Sequence, residues 1–424
     1  MPSAGHLHAL TPGRERATLL TLGAIQFTHI LDFMIMMPLG AQLMDVFKIT
    51  PAQFTHLVAS YGFAAAVSGF AGGFVLDRFH RKRSLLVLYA GFGISTLACA
   101  FAPTHHALLV ARLAAGACGG LAGSMVTAMV GDIVPPSRRG RAMSLVMAAF
   151  PVASVLGVPL GLVLAGKYGW HAAFFLLAAC SAVVLVLGAF ALPPIRTAVH
   201  GHQPIRQMRE IMSHGIHLRA FAVGAVLVMA GGVLIPFIAP SFVANVGLDE
   251  KVQLPITYMV GGVATALSTP LVGWLSDRMD RLKLLAIMSV GAVLVVLVIT
   301  RMGHASVIVA STMMALFMVT MSGRFAPAMT MITNAVEARY RGGFMSVNAA
   351  LQQAASAGAN VLAGIFVVRG AGGQLTGMPM LGYASTAFFI LTVLLAAELR
   401  AAAPHVAAPA PKNPIAPAPT EATV

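Results

Sequence analysis

The chain has 424 residues, of which 58% are hydrophobic and only 9% charged, with a mean hydropathy of +0.85. A soluble domain carries roughly 25% charged residues, so this composition excludes an ordinary water-soluble globule. The formal net charge of +14 does not point to nucleic acid, because the basic residues gather in short loops between apolar runs.

A helix needs about 20 apolar residues to cross a bilayer, and about a dozen runs here are long enough. In the first half the expected helices fall at 17–46, 51–76, 84–102, 106–134, 142–166 and 170–192. The first run is expected to be a retained helix, since no small-residue cleavage site follows it. Pro135 and Pro136 end the fourth helix, as consecutive prolines cannot continue it. Residues 194–219 form a polar, His-rich, basic linker, in which 205–216 could lie on the membrane face as a short amphipathic helix. The second half repeats the plan at 220–246, 253–275, 284–302, 305–336, 344–368 and 376–399. The expected domains are thus a tail (1–16), two six-helix halves (17–193 and 220–400) flanking the linker, and an Ala/Pro-rich disordered tail (401–424). Trp170 is expected at the outer headgroup level and Trp274 at the inner one. Cys99, Cys118 and Cys180 fall inside expected spans, so no disulfide is implied.

The halves are related by more than length. Gly73-Phe-Val-Leu-Asp77-Arg78-Phe-His80-Arg81 returns as Gly273-Trp-Leu-Ser-Asp277-Arg278-Met-Asp-Arg281, each copy between a second and a third apolar run. Arg138-Arg139-Gly140 is echoed by Arg339-Tyr-Arg341-Gly342. Two copies in matching places mark an internal repeat. Most of the 27 Lys and Arg residues fall on one side of the alternating loops. Five lie on the other side (Lys48, Lys167, Lys251, Arg301 and Arg369) and two inside apolar runs (Arg112 and Arg324). By the positive-inside rule both termini and the Asp77 and Asp277 loops are expected in the cytoplasm.

Asp32, Arg112 and Arg324 stand well inside expected spans. A charge at the bilayer centre costs on the order of 3 kcal/mol on insertion scales, which makes each a candidate functional residue. Desolvation disfavours the charged form of Asp32, so it could exchange protons near neutral pH. The alternative is an Asp that joins helices by hydrogen bonds. His29 lies one turn earlier on the same face. The second half has Ala230 in the corresponding place, so this acid is not part of the shared scaffold. Arg324 could contact an anionic substrate, balance Asp32 or pair with backbone carbonyls. Gln26, Met36, Asn348 and Gln352 could line a substrate cavity, or simply join helices. The 25 methionines are read as adaptable packing rather than as a copper(I) site. No phosphate-binding Gly-x-x-x-x-Gly-Lys-Ser/Thr loop is visible, which points to a gradient and not ATP as the energy source. No cofactor or metal is expected, and no enzyme activity.

Twelve spans in two halves, each with Gly-x-x-x-Asp-Arg-x-x-Arg after its second helix, resemble the major facilitator superfamily. His80 and Asp280 depart from it, standing where the family usually has Gly. The resemblance implies an all-α membrane protein with twelve transmembrane helices around a central cavity. Arg112-Leu-Ala-Ala-Gly116 resembles the fourth-helix Arg-x-x-x-Gly motif of proton-coupled drug exporters, with Ala115 in place of the usual Gln. It implies that Arg112 influences a proton-binding acid. Gly157-Val-Pro159-Leu-Gly161 resembles the antiporter signature of the fifth helix, with altered spacing and Leu162 where a second Gly is usual. These motifs are similar to those of the twelve-helix drug:proton antiporters, the arabinose-efflux-permease-like branch.

The repeated loops read physically as a latch. Asp77 can accept hydrogen bonds from helix N-termini or pair with Arg81, and Asp132 at the end of the fourth helix can join them. Gly73 and Arg78 belong to the same loop, and Gly273, Asp277, Arg278, Arg281 and Glu337 are the second-half equivalents. Such pairs could hold the halves together on the cytoplasmic side when the cavity opens outward; otherwise they are plain topogenic charge. The expected protein is a monomeric inner-membrane transporter that binds protons and a small-molecule substrate within the lipid bilayer. It exports apolar or amphipathic compounds by rocking of the halves. The rival expectations are an uptake symporter for a sugar or organic acid, and a non-transporting sensor on the same scaffold.

Overall fold

Local chemistry sets where each apolar run becomes a helix in the computed structural model, which describes residues 11–75, 80–135, 138–194, 204–337 and 340–408. Thr50 and Gln53 cap one helix reciprocally, Thr50 N–H donating to Gln53 Oε1 (2.9 Å) and Gln53 N–H to Thr50 Oγ1 (3.2 Å). Thr104, Asp280 and Ser306 each accept a backbone N–H at other helix starts. The first half contains α1 (Pro12–Ile35), α2 (Pro51–Val75), α3 (Arg81–Ala100), α4 (His105–Ile133), α5 (Arg139–Tyr168) and α6 (His171–Ala191). The second contains α7 (Gly215–Val246), α8 (Gln253–Arg278), α9 (Arg281–Ile299), α10 (Val307–Asn334), α11 (Arg341–Phe366) and α12 (Met378–Ala402). Among the described residues 11 of these helices are long and apolar enough to cross a membrane. The twelfth, α11, has 26 residues but carries Asn348, Gln352, Gln353 and Asn360, which lower its hydropathy.

The helix expected over 17–46 is interrupted. α1 ends at Ile35, and a separate helix Gly40–Phe47 follows a turn that contains Pro38, whose ring and missing N–H disfavour continuation. The linker forms a helix at Pro204–Ser213. The tail expected to be disordered from 401 is ordered through 408, with Val406 and Ala407 fully buried against the second half. Trp170, at the start of α6, is 2% exposed and packs on Phe47, His171 and Phe174.

The apolar cores show how the halves meet. At the end with the sparse loops one core is shared, joining Leu43, Phe54 and Trp170 of the first half to Phe237, Val246 and Val367 of the second. At the basic-loop end each half keeps its own core, around Leu85, Val130 and Val146 in one and Leu285, Ile332 and Phe344 in the other. The halves are therefore closed at the sparse-loop end and parted at the basic end. Small residues bring the seam helices together. A Cβ at Gly262 of α8 would stand 2.8 Å from the Ser154 carbonyl of α5, and one at Gly364 of α11 would stand 2.9 Å from Ala52 Cα of α2. A two-stranded hairpin, β1 (Val368–Arg369) and β2 (Leu375–Thr376), covers the closed end. Asn245 holds it through two hydrogen bonds of 2.8 Å to the backbone of Leu375.

Candidate functional site

Asp32 on α1 and Arg112 on α4 form a fully buried ion pair. Arg112 Nη1 lies 2.6 Å from Asp32 Oδ2, and both side chains are wholly inaccessible. The same nitrogen also donates to the Asp32 carbonyl at 3.3 Å. Below the guanidinium lies the Tyr61 ring of α2, 4.5 Å from Arg112 Cζ to the centroid, a geometry in which the ring face attracts the cation.

Glycine makes this approach possible. A Cβ at Gly116, one turn after Arg112, would stand 2.8 Å from Tyr61 Cα, closer than any side chain could tolerate. One at Gly119 would stand 2.6 Å from the Tyr61 hydroxyl and 2.7 Å from His29. The Arg-x-x-x-Gly spacing thus has a packing reason: Gly116 lets the α2 backbone press on α4 beneath the arginine. Gly116→Ala is expected to cost about 1–3 kcal/mol by overpacking, read as a lowered Tm of the purified protein. An unchanged Tm would show that α2 can move away freely.

The fifth-helix glycines serve the same site from the other side. A Cβ at Gly157 would meet Leu31 at 2.8 Å, and one at Gly161 would meet Ile35 at 2.6 Å. They let α5 lie against α1 on either side of Asp32. Pro159 follows a π-type stretch, Ala153–Gly157, in the first turn of the α-helical segment that resumes there.

The pair is incompletely satisfied. Asp32 Oδ1, Arg112 Nε and Nη2, the Tyr61 hydroxyl and both ring nitrogens of His29 are buried without a hydrogen-bond partner among the described residues. Buried polar groups are normally paired, which makes this cluster a candidate site. A carboxylate with one oxygen committed and the other open can take up a proton. Doing so cancels the charge that holds Arg112. His29 is one turn from Asp32 as expected, but it packs on Tyr61 (5.9 Å between centroids) and Phe92 (6.4 Å) rather than bonding to Asp32. Tyr61 is the residue that reading by charge alone misses; its signal is a polar aromatic in mid-span.

The other expected site residues divide. Gln26 Oε1 is buried without a partner and faces Gly123, and Asn348 Oδ1 is likewise without one beside Gly224. Gln352 Nε2 approaches Met329 Sδ at 3.6 Å. Met36 belongs to the shared core and is fully buried, so it lines no open cavity in this conformation. Arg324 stands at a break in α10, between Val307–Gly323 and Phe325–Asn334. It is fully buried, 4.2 Å above the Phe389 ring, with Nη2 donating to Met321 Sδ at 3.3 Å. It does not balance Asp32, because Arg112 does.

At the basic end Arg81 Nε pairs with Asp132 Oδ2 at 3.2 Å. Asp77 and Arg78 lie outside the described residues, and Gly73 is in the last turn of α2. The second half is built differently. Arg281 donates to the carbonyls of Val406 (3.4 Å) and Ala408, and Asp280, not Asp277, pairs with a cation, Arg400, at 3.0 Å. Asp277 and Glu337 are exposed, Arg278 stacks on Trp274 at 4.1 Å, and Gly273 faces open space. The ion pairs described at this end, Arg81–Asp132 and Arg400–Asp280, each join residues of one half.

The comparisons with known proteins agree with this architecture. A model of the Major Facilitator Superfamily matches residues 22–360. The uncharacterized MFS-type transporter YceJ of Bacillus subtilis is 31% identical over 192 residues, which is 45% of this chain and 49% of that one. The vacuolar membrane amino acid uptake transporter fnx2 of Schizosaccharomyces pombe is 27% identical over 42% of this chain and 33% of its own. A chloramphenicol resistance protein of Streptomyces lividans is 28% identical over 47% of this chain and 51% of its own. The chain thus matches about half the length of these relatives or less. The inward-facing, occupied structure of a bacterial homolog to the human lysosomal transporter Spinster superposes with a TM-score of 0.76 at 15% identity, covering 94% of this chain and 99% of that one. The fold is shared, and with the family match running over most of its length the chain belongs to the Major Facilitator Superfamily.

Proposed function

We propose that the protein is a proton-coupled secondary transporter of the cell inner membrane that exports small apolar or amphipathic compounds by alternating access. The observation that carries this reading is the fully buried Asp32–Arg112 pair, an expensive arrangement inside a membrane span unless it works. Asp32 is the proton carrier and Arg112 its counter-ion, with His29 on the same face. Gln26, Asn348 and Gln352 supply polar contacts to substrate in the cleft between the halves. The parted basic end is the cytoplasmic one, so the conformation described here receives substrate from inside. Rocking about the seams α2/α11 and α5/α8 would expose the cleft to the other side.

The uptake named for fnx2 makes symport the second reading. Proteoliposomes loaded with ethidium under an imposed pH gradient separate the two. Antiport predicts dye leaving against inward proton flux, and proton and dye moving together supports the symporter. Dye movement indifferent to the gradient sinks both. The orientation is tested separately: Cys at 83 or 283 should react only with reagents admitted to the cytoplasm. Labelling of either from outside intact cells overturns it.

A further inference from the structure

The seam at the sparse-loop end holds a carboxyl group that Asp32 chemistry does not use. Asp45, on helix Gly40–Phe47 of the first half, pairs across the seam with Arg369 Nη1 of the hairpin at 2.6 Å. Glu250, in the turn between α7 and α8 of the second half, feels the charge of the same Asp45 and, more weakly, the opposing hydrogen bonds of the Gln42 backbone and side chain across the seam. Its Oε1 is buried without a hydrogen-bond partner.

The charges around it leave Glu250 without a cation. Arg369 is committed to Asp45. Asp249 accepts the Val252 N–H at 2.7 Å and so holds its own turn, adding a second negative neighbour. Lys251 packs on Gly166 at the end of α5, next to Lys167, its Cα 3.1 Å from where a Gly166 Cβ would stand. Lys48 ends the Gly40–Phe47 helix in a left-handed conformation. Among the described residues no ion pair engages Glu250. Ionised, it would set a second carboxylate beside Asp45 with one arginine to serve both; protonated, it leaves the Asp45–Arg369 bridge undisturbed.

We propose that Glu250 is a second proton-binding site, whose protonation favours the closed seam between the halves and whose ionisation loosens it. Burial, and then the charge of Asp45, push its carboxyl up to about 7 in this closed arrangement. Opening the seam would return it to water and to the ordinary carboxylate range. The closed state therefore holds the proton more tightly, so acid closes the seam and rising pH opens it. This goes beyond the Asp32 reading and holds whether or not Asp32 carries the coupling proton.

The test uses the full chain in nanodiscs, with the three native cysteines replaced and spin labels at Tyr168→Cys and Ala371→Cys. These sites are exposed, one on each half at the closed end. Electron–electron distances are followed from pH 5.5 to 8.5. The ratio of long to short distances is expected to rise on the order of tenfold between pH 6 and 8. In Glu250→Gln and in Glu250→Ala it should stay at its acid value throughout. A wild-type ratio that does not change with pH overturns the proposal, and so does the same transition persisting in both variants.

Discussion

Proton-driven transport is expected to fall to the level of empty liposomes in Asp32→Asn, while substrate binding persists. The carboxyl is the group whose charge the membrane interior makes conditional. Oδ2 is held by Arg112 at 2.6 Å and Oδ1 is open. Asn keeps the shape and an acceptor for Arg112 but cannot bind and release a proton. Coupling should therefore be lost without collapse of the fold. The deciding measurement is substrate-dependent proton flux in proteoliposomes under an imposed pH gradient, beside ligand-induced thermal stabilisation of the same protein, since binding to the folded state raises its apparent stability. Flux that persists in Asp32→Asn would remove Asp32 from the proton path. Loss of both flux and binding would assign it to substrate instead.

The second large effect is on stability. Arg112→Ala removes the cation paired with a fully buried carboxylate, and such changes cost about 3–5 kcal/mol. It also bares the face of Tyr61. Combining it with Asp32→Asn removes the stranded charge, so the double variant should recover part of the loss, with a coupling of about 0.5–3 kcal/mol between the two sites. Thermal unfolding of the four proteins checks this. Strict additivity would mean that the two side chains do not sense one another, and the pairing would be discarded as an energetic unit. Arg112→Lys is expected to restore only part, since a lysine lacks the planar group that stacks on Tyr61.

The different fates of Asp32, Arg112 and Arg324 show what local reading can reach. All three stand out as charges inside apolar runs, because a run and its interruption are adjacent in the chain. Which cation serves Asp32 is a different kind of fact: Arg112 is 80 positions away and Arg324 is in the other half. Only the packing of α1 on α4 decides between them. The repeated Asp-Arg loops show the same limit. Identical spacing suggests identical contacts, yet Arg81 meets Asp132 while Arg281 meets the tail carbonyls. What an arginine binds depends on what the rest of the half brings to it. Residue type suggests a membrane level for Trp170, but only the packing shows that Phe47 and Phe174 cover it.

The sequence by itself determined the class, the spans and the two related halves. Each span is a stretch of about 20 residues whose hydropathy needs no partner to be read, and the repeat is visible as spacing. The helix stop at Pro135 follows from backbone chemistry as well, whereas the break near Pro38 was not anticipated. The tertiary structure alone decided that the halves share one core at the sparse-loop end and keep two at the other. It alone placed Tyr61 under Arg112 through Gly116, and Glu250 beside the Asp45–Arg369 bridge. These contacts join residues far apart in the chain, and their geometry comes from how helices stack, a property that no single span carries.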